Sequence, residues 1–263
     1  MLYNRGNPRK ECMTLKKDLL QISVSATRAE MGKAAADCAA AHIRRLLAEK
    51  ESINVIFAAA PSQNEVLEEL LLRDVDFARI NAYHMDEYVG LSPTDAQSFA
   101  QYLTQHIFSR APFRSVNLID TSKGAEQACR VYTELLQKNP PDLVLMGIGE
   151  NGHIAFNDPP VADFADKAAI KAVELDPICR QQQVNDKCFP TLADVPTHAV
   201  TLTVPTLMSA GALVCTVPGP TKAWAVKHTV EDEISEKCPA TVMRRHPNAT
   251  MFLDADSAAD LLK

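Results

Sequence analysis

The stretch Ile53-Asn54-Val55-Ile56-Phe57-Ala58 is a short, almost continuous apolar run between two segments with helical periodicity. Apolar runs of this length are typical of parallel strands that are buried on both faces. The preceding segment, residues 26–50, repeats its apolar side chains at helical spacing, and Ser25 is placed to cap it. A second helical segment follows at 65–72. The order helix, buried strand, helix predicts an α/β protein.

The same alternation continues along the rest of the chain. Further apolar runs predict strands near residues 80–84, 116–119, 143–146, 199–204, 213–217 and 250–253. Helical periodicity recurs at residues 97–108, 124–137 and 221–230. Strands that alternate with longer helices favour an open, mostly parallel sheet with helices on both faces.

Composition and charge argue against several classes of protein. The chain has 263 residues, of which 46% are hydrophobic, so it can bury a large core. Its formal net charge of −6 argues against a nucleic-acid partner, because duplex-binding domains are usually basic. No apolar run reaches the ~18 residues of a membrane span, so no membrane partner is expected. Seven scattered cysteines without a CxxC pair indicate free thiols in the cytoplasm rather than disulfides or a zinc site.

The chain contains no internal repeat and no low-complexity linker. We therefore expect residues 21–263 to form a single α/β catalytic domain. Residues 1–20 are rich in basic side chains and lack the apolar core of a signal peptide, so we expect a flexible tail. The stretch 159–190 is expected to form a lid.

Ligands bind at the carboxyl ends of strands in an open parallel sheet, which ranks the loops of this chain. The best candidates follow Phe57, His84, Met146 and Val217. After His84 comes Met85-Asp86-Glu87-Tyr88, where two adjacent carboxylates can divide their roles between base and structural contact. A solvated acidic turn explains the same residues, and spacing alone does not decide.

The loop after Met146 is Gly147-Ile148-Gly149-Glu150-Asn151-Gly152-His153-Ile154-Ala155-Phe156-Asn157-Asp158. Its glycines let the backbone approach a ligand, but a dinucleotide fingerprint would have to open a helix. Pro159-Pro160 ends any helix soon afterwards, so no such cofactor is expected. His153, with Asp158 five residues later, suits a proton-transfer pair in which the carboxylate orients the imidazole. A histidine that only caps a turn is the alternative.

Two further loops offer groups for an anion. Lys222 stands in the first turn of a helix that Thr221 can begin, where free N–H groups and the helix dipole favour a phosphate. Ser62 and Gln63, after the first predicted strand, can donate hydrogen bonds, although their loop lacks glycines. A surface lysine and an ordinary helix cap are the plainer explanations. The histidines lack the spacing of a metal site, so no metal is expected.

Met85-Asp86-Glu87-Tyr88-Val89-Gly90-Leu91 and the loop 147–157 together resemble the glucosamine-6-phosphate deaminase family, whose relatives include 6-phosphogluconolactonases. The resemblance covers about residues 22–255. The lactonase branch favours Arg and Thr at two positions that are Tyr88 and Ile154 here, so the resemblance points to the deaminase branch.

The resemblance implies a modified Rossmann-like fold, no cofactor, and a small phosphosugar as the partner. The implied reaction converts glucosamine 6-phosphate and water to fructose 6-phosphate and ammonia. Asp86 would match the base that moves a proton between C2 and C1, His153 the imidazole that opens the sugar ring, and Lys222 the phosphate ligand. A 6-phosphogluconolactonase-like hydrolase and a non-catalytic sugar-phosphate sensor are the alternatives. Homo-oligomerisation stays open.

The chain also departs from the family pattern. Asp158 replaces the usual Glu, and Asn151 stands where some relatives have Asp; we expect both to belong to the catalytic set with Asp86 and His153. The substrate-binding set is expected to comprise Ser62, Gln63, Gly152, Arg180 and Lys222. In that set Arg180 is the candidate for the family's lid arginine, with Lys187 as its alternative.

Overall fold

The computed structural model describes residues 13–185 and 187–262. Through these residues the chain alternates between strands and helices. The strands are β1 (Met13–Lys17), β2 (Leu20–Val24), β3 (Ile53–Phe57), β4 (Ile80–His84), β5 (Asp86–Tyr88), β6 (Ser115–Asn117), β7 (Leu143–Met146), β8 (Ile170–Glu174), β9 (His198–Leu202), β10 (Ala212–Val217) and β11 (Ala249–Leu253). The α-helices are α1 (Arg28–Glu49), α2 (Asn64–Leu71), α3 (Phe99–Leu103), α4 (Ala125–Lys138), α5 (Pro177–Asn185), α6 (Val204–Met208) and α7 (Ala223–Glu231).

The main sheet has eight strands in the order β1-β2-β11-β10-β7-β3-β4-β6. β1 and β2 form an antiparallel hairpin at one edge, and every other neighbouring pair in this sheet is parallel. The predicted open, mostly parallel sheet is therefore confirmed. None of the helices in the described residues is long and apolar enough to cross a membrane.

Alternate residues of the central strands enter two hydrophobic cores. In β7, Leu143 and Leu145 join the core that contains buried side chains of α1. Val144 and Met146 join the other core, which contains side chains of α4 and α7. Because successive side chains of a strand point to opposite faces, the helices cover the sheet on both sides.

The prediction of a flexible tail over residues 1–20 is wrong for its second part. Residues 13–17 form β1 and residue 20 begins β2, with Leu15 and Leu20 buried in the core that contains side chains of α4 and α7. The hairpin adds to β11, which anchors these residues in the sheet. Residues 1–12 lie outside the described part of the chain.

The cap of α1 also differs from the prediction. Thr27, rather than Ser25, precedes the first helical residue, and its hydroxyl accepts a bond from the backbone N–H of Glu30 at 3.2 Å. The Glu30 carboxylate accepts a bond from the Thr27 N–H in return. This reciprocal capping box sets the start of α1, and so the position of Arg28.

A second sheet, in the order β5-β9-β8, is antiparallel and lies beside the carboxyl end of β4. The sequence analysis assigned β5 to a loop, because three residues are too few to show a period. The predicted lid, residues 159–190, contains β8 and α5 rather than an irregular loop.

Glu87 links β5 to α3 from a fully buried position. Its carboxylate accepts bonds from the backbone N–H groups of Tyr88, Phe99 and Ala100 at 2.9–3.1 Å. Burial raises the pKa of Glu87 to about 7, although these three bonds act in the opposite direction. Glu87 is thus the structural member of the adjacent acid pair.

We expect Glu87→Gln to remove a pH-dependent part of the stability. A carboxyl whose pKa rises from 4.5 to about 7 on folding stabilises the fold fully below pH 4.5 and loses that contribution as the pH rises through 7. The difference in the free energy of unfolding between the natural chain and the variant should fall by about 3 kcal/mol as the pH rises over this range. Urea unfolding at a series of pH values measures the difference, and a constant difference would contradict the prediction.

Candidate active site

One cavity of about 300 Å³ lies at the carboxyl ends of β3, β4, β7 and β10. These are the four strand ends that the sequence analysis ranked highest. Their loops contribute residues 58–62, Met85 and Asp86, residues 147–149 with His153, and residues 218–222. All four loops that the sequence analysis ranked highest therefore contribute residues to this cavity.

Asp86 begins β5 at the wall of this cavity and is 7% exposed. β5 pairs with β9, which puts Asp86 opposite Thr201 and holds the carboxyl at the end of β4. Burial, and then the negative charge of Glu87, raise the pKa of Asp86 well above 3.8. A carboxylate with a raised pKa is a stronger base, so this environment suits proton transfer at carbon.

His153 lines the cavity, and Asp158 lies behind it as a buried partner. The distance from Nδ1 of His153 to Oδ1 of Asp158 is 3.0 Å, an ion-pair contact without the alignment of a full hydrogen bond. A carboxylate at Nδ1 favours the tautomer that leaves Nε2 to exchange protons with a ligand. The structure thus brings together the pair that the sequence analysis proposed.

Asn151 holds both members of this pair in place. Its Nδ2 donates to Oδ1 of Asp158 at 2.9 Å, and its Oδ1 accepts a bond from the His153 backbone N–H at 3.0 Å. Asn151 is not among the residues that line the cavity. The structure gives it a positioning role instead of the direct catalytic role that the sequence predicted.

Cys179 of α5 makes a further contact with Asp158 that the sequence analysis missed. Burial tends to raise the pKa of Asp158, but the charge and close contact of His153 and the hydrogen bonds from Asn151 and Cys179 lower it below 3.8. Burial, and then the charge of Asp158, raise the pKa of the Cys179 thiol, which keeps it protonated as a donor. A cysteine in the predicted lid, which also contains Cys188, carries no sequence signal for such a role.

The ligand atoms of His153, Asp158 and Cys179 lie within 4.8 Å of one another, close enough to approach one metal ion. The hydrogen bonds to Asp158 account for this arrangement through the protein's own groups. The expectation of a metal-free site stays a prediction.

Two glycines allow the loop after β7 to present His153. A Cβ on Gly149 would lie 2.1–2.4 Å from ring atoms of His153. Gly152 has a φ of +79°, and a Cβ there would meet Sγ of Cys238 at 2.4 Å. Gly152 does not line the cavity, so its role is conformational rather than the predicted contact with substrate.

Ser62 and Lys222 line the same cavity as the loop after β7. Lys222 ends a short 3₁₀ turn, so α7 begins after this residue and not before it as predicted. The lysine is 7% exposed. A Cβ on Gly147 would lie 3.1 Å from Oγ of Ser62 and 3.3 Å from the carbonyl oxygen of Thr216. The loop after β3 and the end of β10 therefore both contact Gly147. We call the part of the cavity wall formed by Ser62, Lys222 and Arg28 the basic corner.

Gln63 supports this corner from beneath. Its Nε2 donates to Oγ of Ser62 at 3.1 Å, and its side chain is almost fully buried. Because Gln63 is not a cavity-lining residue, the structure does not give it the predicted contact with substrate.

Arg180 lies away from the cavity, which corrects its prediction as a phosphate ligand. Its Nη2 donates to the carbonyl oxygens of Leu192 and Val195 at 2.7 and 2.8 Å. One face of α5 contains Cys179, Gln182 and Gln183, which follow i, i+3 and i+4 spacing, and Arg180 does not belong to this face. α5 presents the two glutamines to the cavity instead.

Arg28 is a cavity residue that the sequence analysis missed. Its Nε donates to Oε1 of Glu65 at 2.7 Å, and its Nη2 donates to the carbonyl oxygen of Pro61. Arg28 follows the carboxyl end of β2, a position where ligands often bind. The sequence analysis did not predict β2, so the loop after it was not considered as part of the site.

Comparisons with known proteins agree with the resemblance seen in the sequence. The family model described as glucosamine-6-phosphate isomerases/6-phosphogluconolactonase matches residues 26–252. A glucosamine-6-phosphate deaminase of Lactobacillus delbrueckii subsp. bulgaricus is 32% identical over 247 residues, which cover 93% of this chain and 100% of the relative. A glucosamine-6-phosphate deaminase of Bacillus cereus is 34% identical over 216 residues, which cover 82% of this chain and 80% of the relative.

Solved structures show the same architecture. A monomeric glucosamine-6-phosphate deaminase superposes with a TM-score of 0.82 at 28% identity, covering 91% of this chain and 99% of that chain. The 6-phosphogluconolactonase of Thermotoga maritima gives a TM-score of 0.73 at 21% identity, covering 89% and 98%, and shares the fold.

Proposed function

Because this chain belongs to the family of glucosamine-6-phosphate isomerases and 6-phosphogluconolactonases, we propose that it is an enzyme that deaminates and isomerises an amino-sugar phosphate. Glucosamine 6-phosphate and water are converted to fructose 6-phosphate and ammonia. The observation that carries the proposal is that one cavity is lined by Asp86, His153 and Lys222, with Asp158 in contact with His153 from behind. The basic corner receives the phosphate, and the acid and imidazole receive the reacting carbons.

Ring opening is the task of His153. Its Nε2 accepts the proton of the C1 hydroxyl and passes it to the ring oxygen as the C1–O5 bond breaks, which leaves an aldehyde at C1. Asp158 stays ionised because its pKa is lowered, and it stabilises the imidazolium that forms during the transfer. Asn151 keeps the two groups in register.

Proton transfer between C2 and C1 is the task of Asp86. The carboxylate removes the proton from C2, whose acidity the neighbouring aldehyde raises, and the electron pair forms an enolamine. Asp86 returns this proton to C1, and O1 gains the proton that the amino group loses, which leaves a hydroxymethyl group at C1 and an imine at C2. Water adds to this imine, and ammonia leaves as the ketone forms. These steps use proton transfers alone and require no redox cofactor.

The surroundings of Tyr88 favour the deaminase over the lactonase alternative. Tyr88 is fully buried, with its ring 4.8, 5.4 and 5.3 Å from the rings of Phe99, Phe156 and Phe189. The arginine expected in the lactonase branch would place a charged guanidinium in this buried aromatic cluster, at a cost in free energy.

Incubation of the purified protein with millimolar glucosamine 6-phosphate tests the proposal. We expect ammonia and fructose 6-phosphate to appear in equal amounts, with little hydrolysis of 6-phosphogluconolactone in a parallel assay. Binding of glucosamine 6-phosphate without turnover would instead support the sensor alternative. Rapid lactone hydrolysis without ammonia release would reject the deaminase assignment.

A further inference from the structure

We infer that Arg28 binds the phosphate group of the sugar together with Lys222 and Ser62, an inference that rests on the proposed function. Arg28 would then supply the guanidinium that binds the phosphate, the role that the sequence analysis predicted for Arg180. Neither its position in the sequence nor any motif singles it out, so the assignment comes from its place in the cavity.

Binding of a phosphate in this acidic chain requires a positive group in the cavity in addition to Lys222. The whole chain has a formal net charge of −6, and Asp86 adds a carboxyl to the same wall. A phosphomonoester carries up to two negative charges, so its site needs a local concentration of positive groups. Among the described residues that line the cavity, Arg28 and Lys222 are the Arg and Lys side chains, whereas Arg180 lies elsewhere.

Arg28 is attached to the loop that forms the basic corner. Its Nη2 donates to the carbonyl oxygen of Pro61, the residue directly before Ser62. The carbonyl oxygen of Ser62 in turn accepts a bond from the hydroxyl of Thr216 in β10 at 3.4 Å. β10 continues along the chain into the turn with Lys222, so Arg28 and β10 both contact the segment Pro61–Ser62, and the turn with Lys222 follows β10.

The guanidinium is preorganised for an anion. Glu65 holds its Nε at 2.7 Å, and the close contact of α1 with α2 fixes that carboxylate, since a Cβ on Gly32 would lie 2.3 Å from Cβ of Glu65. These two contacts use two of the five N–H donors of Arg28. The remaining donors suit the planar, two-point recognition of phosphate oxygens that distinguishes Arg from Lys.

A plain helix–helix ion pair is the competing explanation of Arg28, and the chain offers a matched control. Arg73 also joins α1 to α2, through Asp37 at 2.6 Å and Glu69 at 2.9 Å, but it does not line the cavity. If Arg28 only joined the helices, its replacement and that of Arg73 would have similar consequences.

The test compares Arg28→Ala, Arg28→Lys and Arg73→Ala with the natural chain. Steady-state kinetics use glucosamine 6-phosphate, and calorimetric titration uses glucitol 6-phosphate, an open-chain sugar phosphate that cannot be deaminated. We expect Arg28→Ala to raise KM and the dissociation constant roughly 10- to 100-fold, while kcat changes much less. Arg28→Lys should lie between, and Arg73→Ala should match the natural chain.

The two readouts separate this inference from the proposed function. Weaker binding of glucitol 6-phosphate by Arg28→Ala supports the inference even if the natural chain releases no ammonia. Ammonia release with an unchanged KM in Arg28→Ala would overturn it while leaving the deaminase proposal intact. Equal losses in Arg28→Ala and Arg73→Ala, matched by equal falls in melting temperature, would also overturn it, because they indicate a structural role.

Discussion

Asp86→Asn is expected to lower kcat for ammonia release by roughly 10²- to 10⁴-fold, the range that general acid–base catalysis contributes. Asn keeps the size of the side chain and the pairing of β5 with β9, but its amide cannot accept the C2 proton. KM should change little, because the basic corner, which holds the phosphate in this proposal, is untouched.

Proton exchange identifies the step that Asp86 performs. In deuterium oxide the natural chain should exchange the C1 proton of fructose 6-phosphate when ammonia is present, as followed by NMR, and Asp86→Asn should not. Asp120→Asn is a matched control, because Asp120 is exposed and does not line the cavity. Exchange at the natural rate in Asp86→Asn would assign the base to another residue.

Gly149→Ala is expected to lower kcat by roughly 100-fold, the cost of misplacing a catalytic group by about 1 Å. The new Cβ would lie 2.1 Å from Cε1 of His153, so the ring must move away from its contact with Asp158. The backbone at Gly149 does not have the positive φ found at Gly152, so the substitution should affect the imidazole more than the loop.

The loss in Gly149→Ala should be confined to the site. Gly211→Ala is the control, because it adds the same methyl group before β10, at the opposite end of that strand, where the nearest contact is 3.1 Å from a carbonyl oxygen. Similar melting temperatures with a lower kcat only in Gly149→Ala would agree with displacement of His153. A natural kcat in Gly149→Ala would show that the imidazole tolerates another position.

The central strands and their loops were predictable because their signals are local. β3, β4 and β7 are short runs of buried residues, so each run shows its length and boundaries directly. Parallel strands place their carboxyl ends at one edge, and this rule located Asp86 and His153. The edge hairpin β1–β2 was missed although the buried side chains of β2 alternate along the strand, and the short β5 was missed because three residues are too few to show a period.

By itself, then, the sequence determined the central parallel strands and the four ranked loops, because apolar periods act over a few residues. The family resemblance of two of these loops singled out Asp86 and His153 as candidates. Only the tertiary structure gave the physical reason why the adjacent acids differ, since Glu87 accepts bonds from the start of α3 whereas Asp86 lines the cavity. It also removed Arg180 from the site and brought Arg28 into it. Those outcomes depend on contacts between residues far apart in the chain, and no local pattern encodes them.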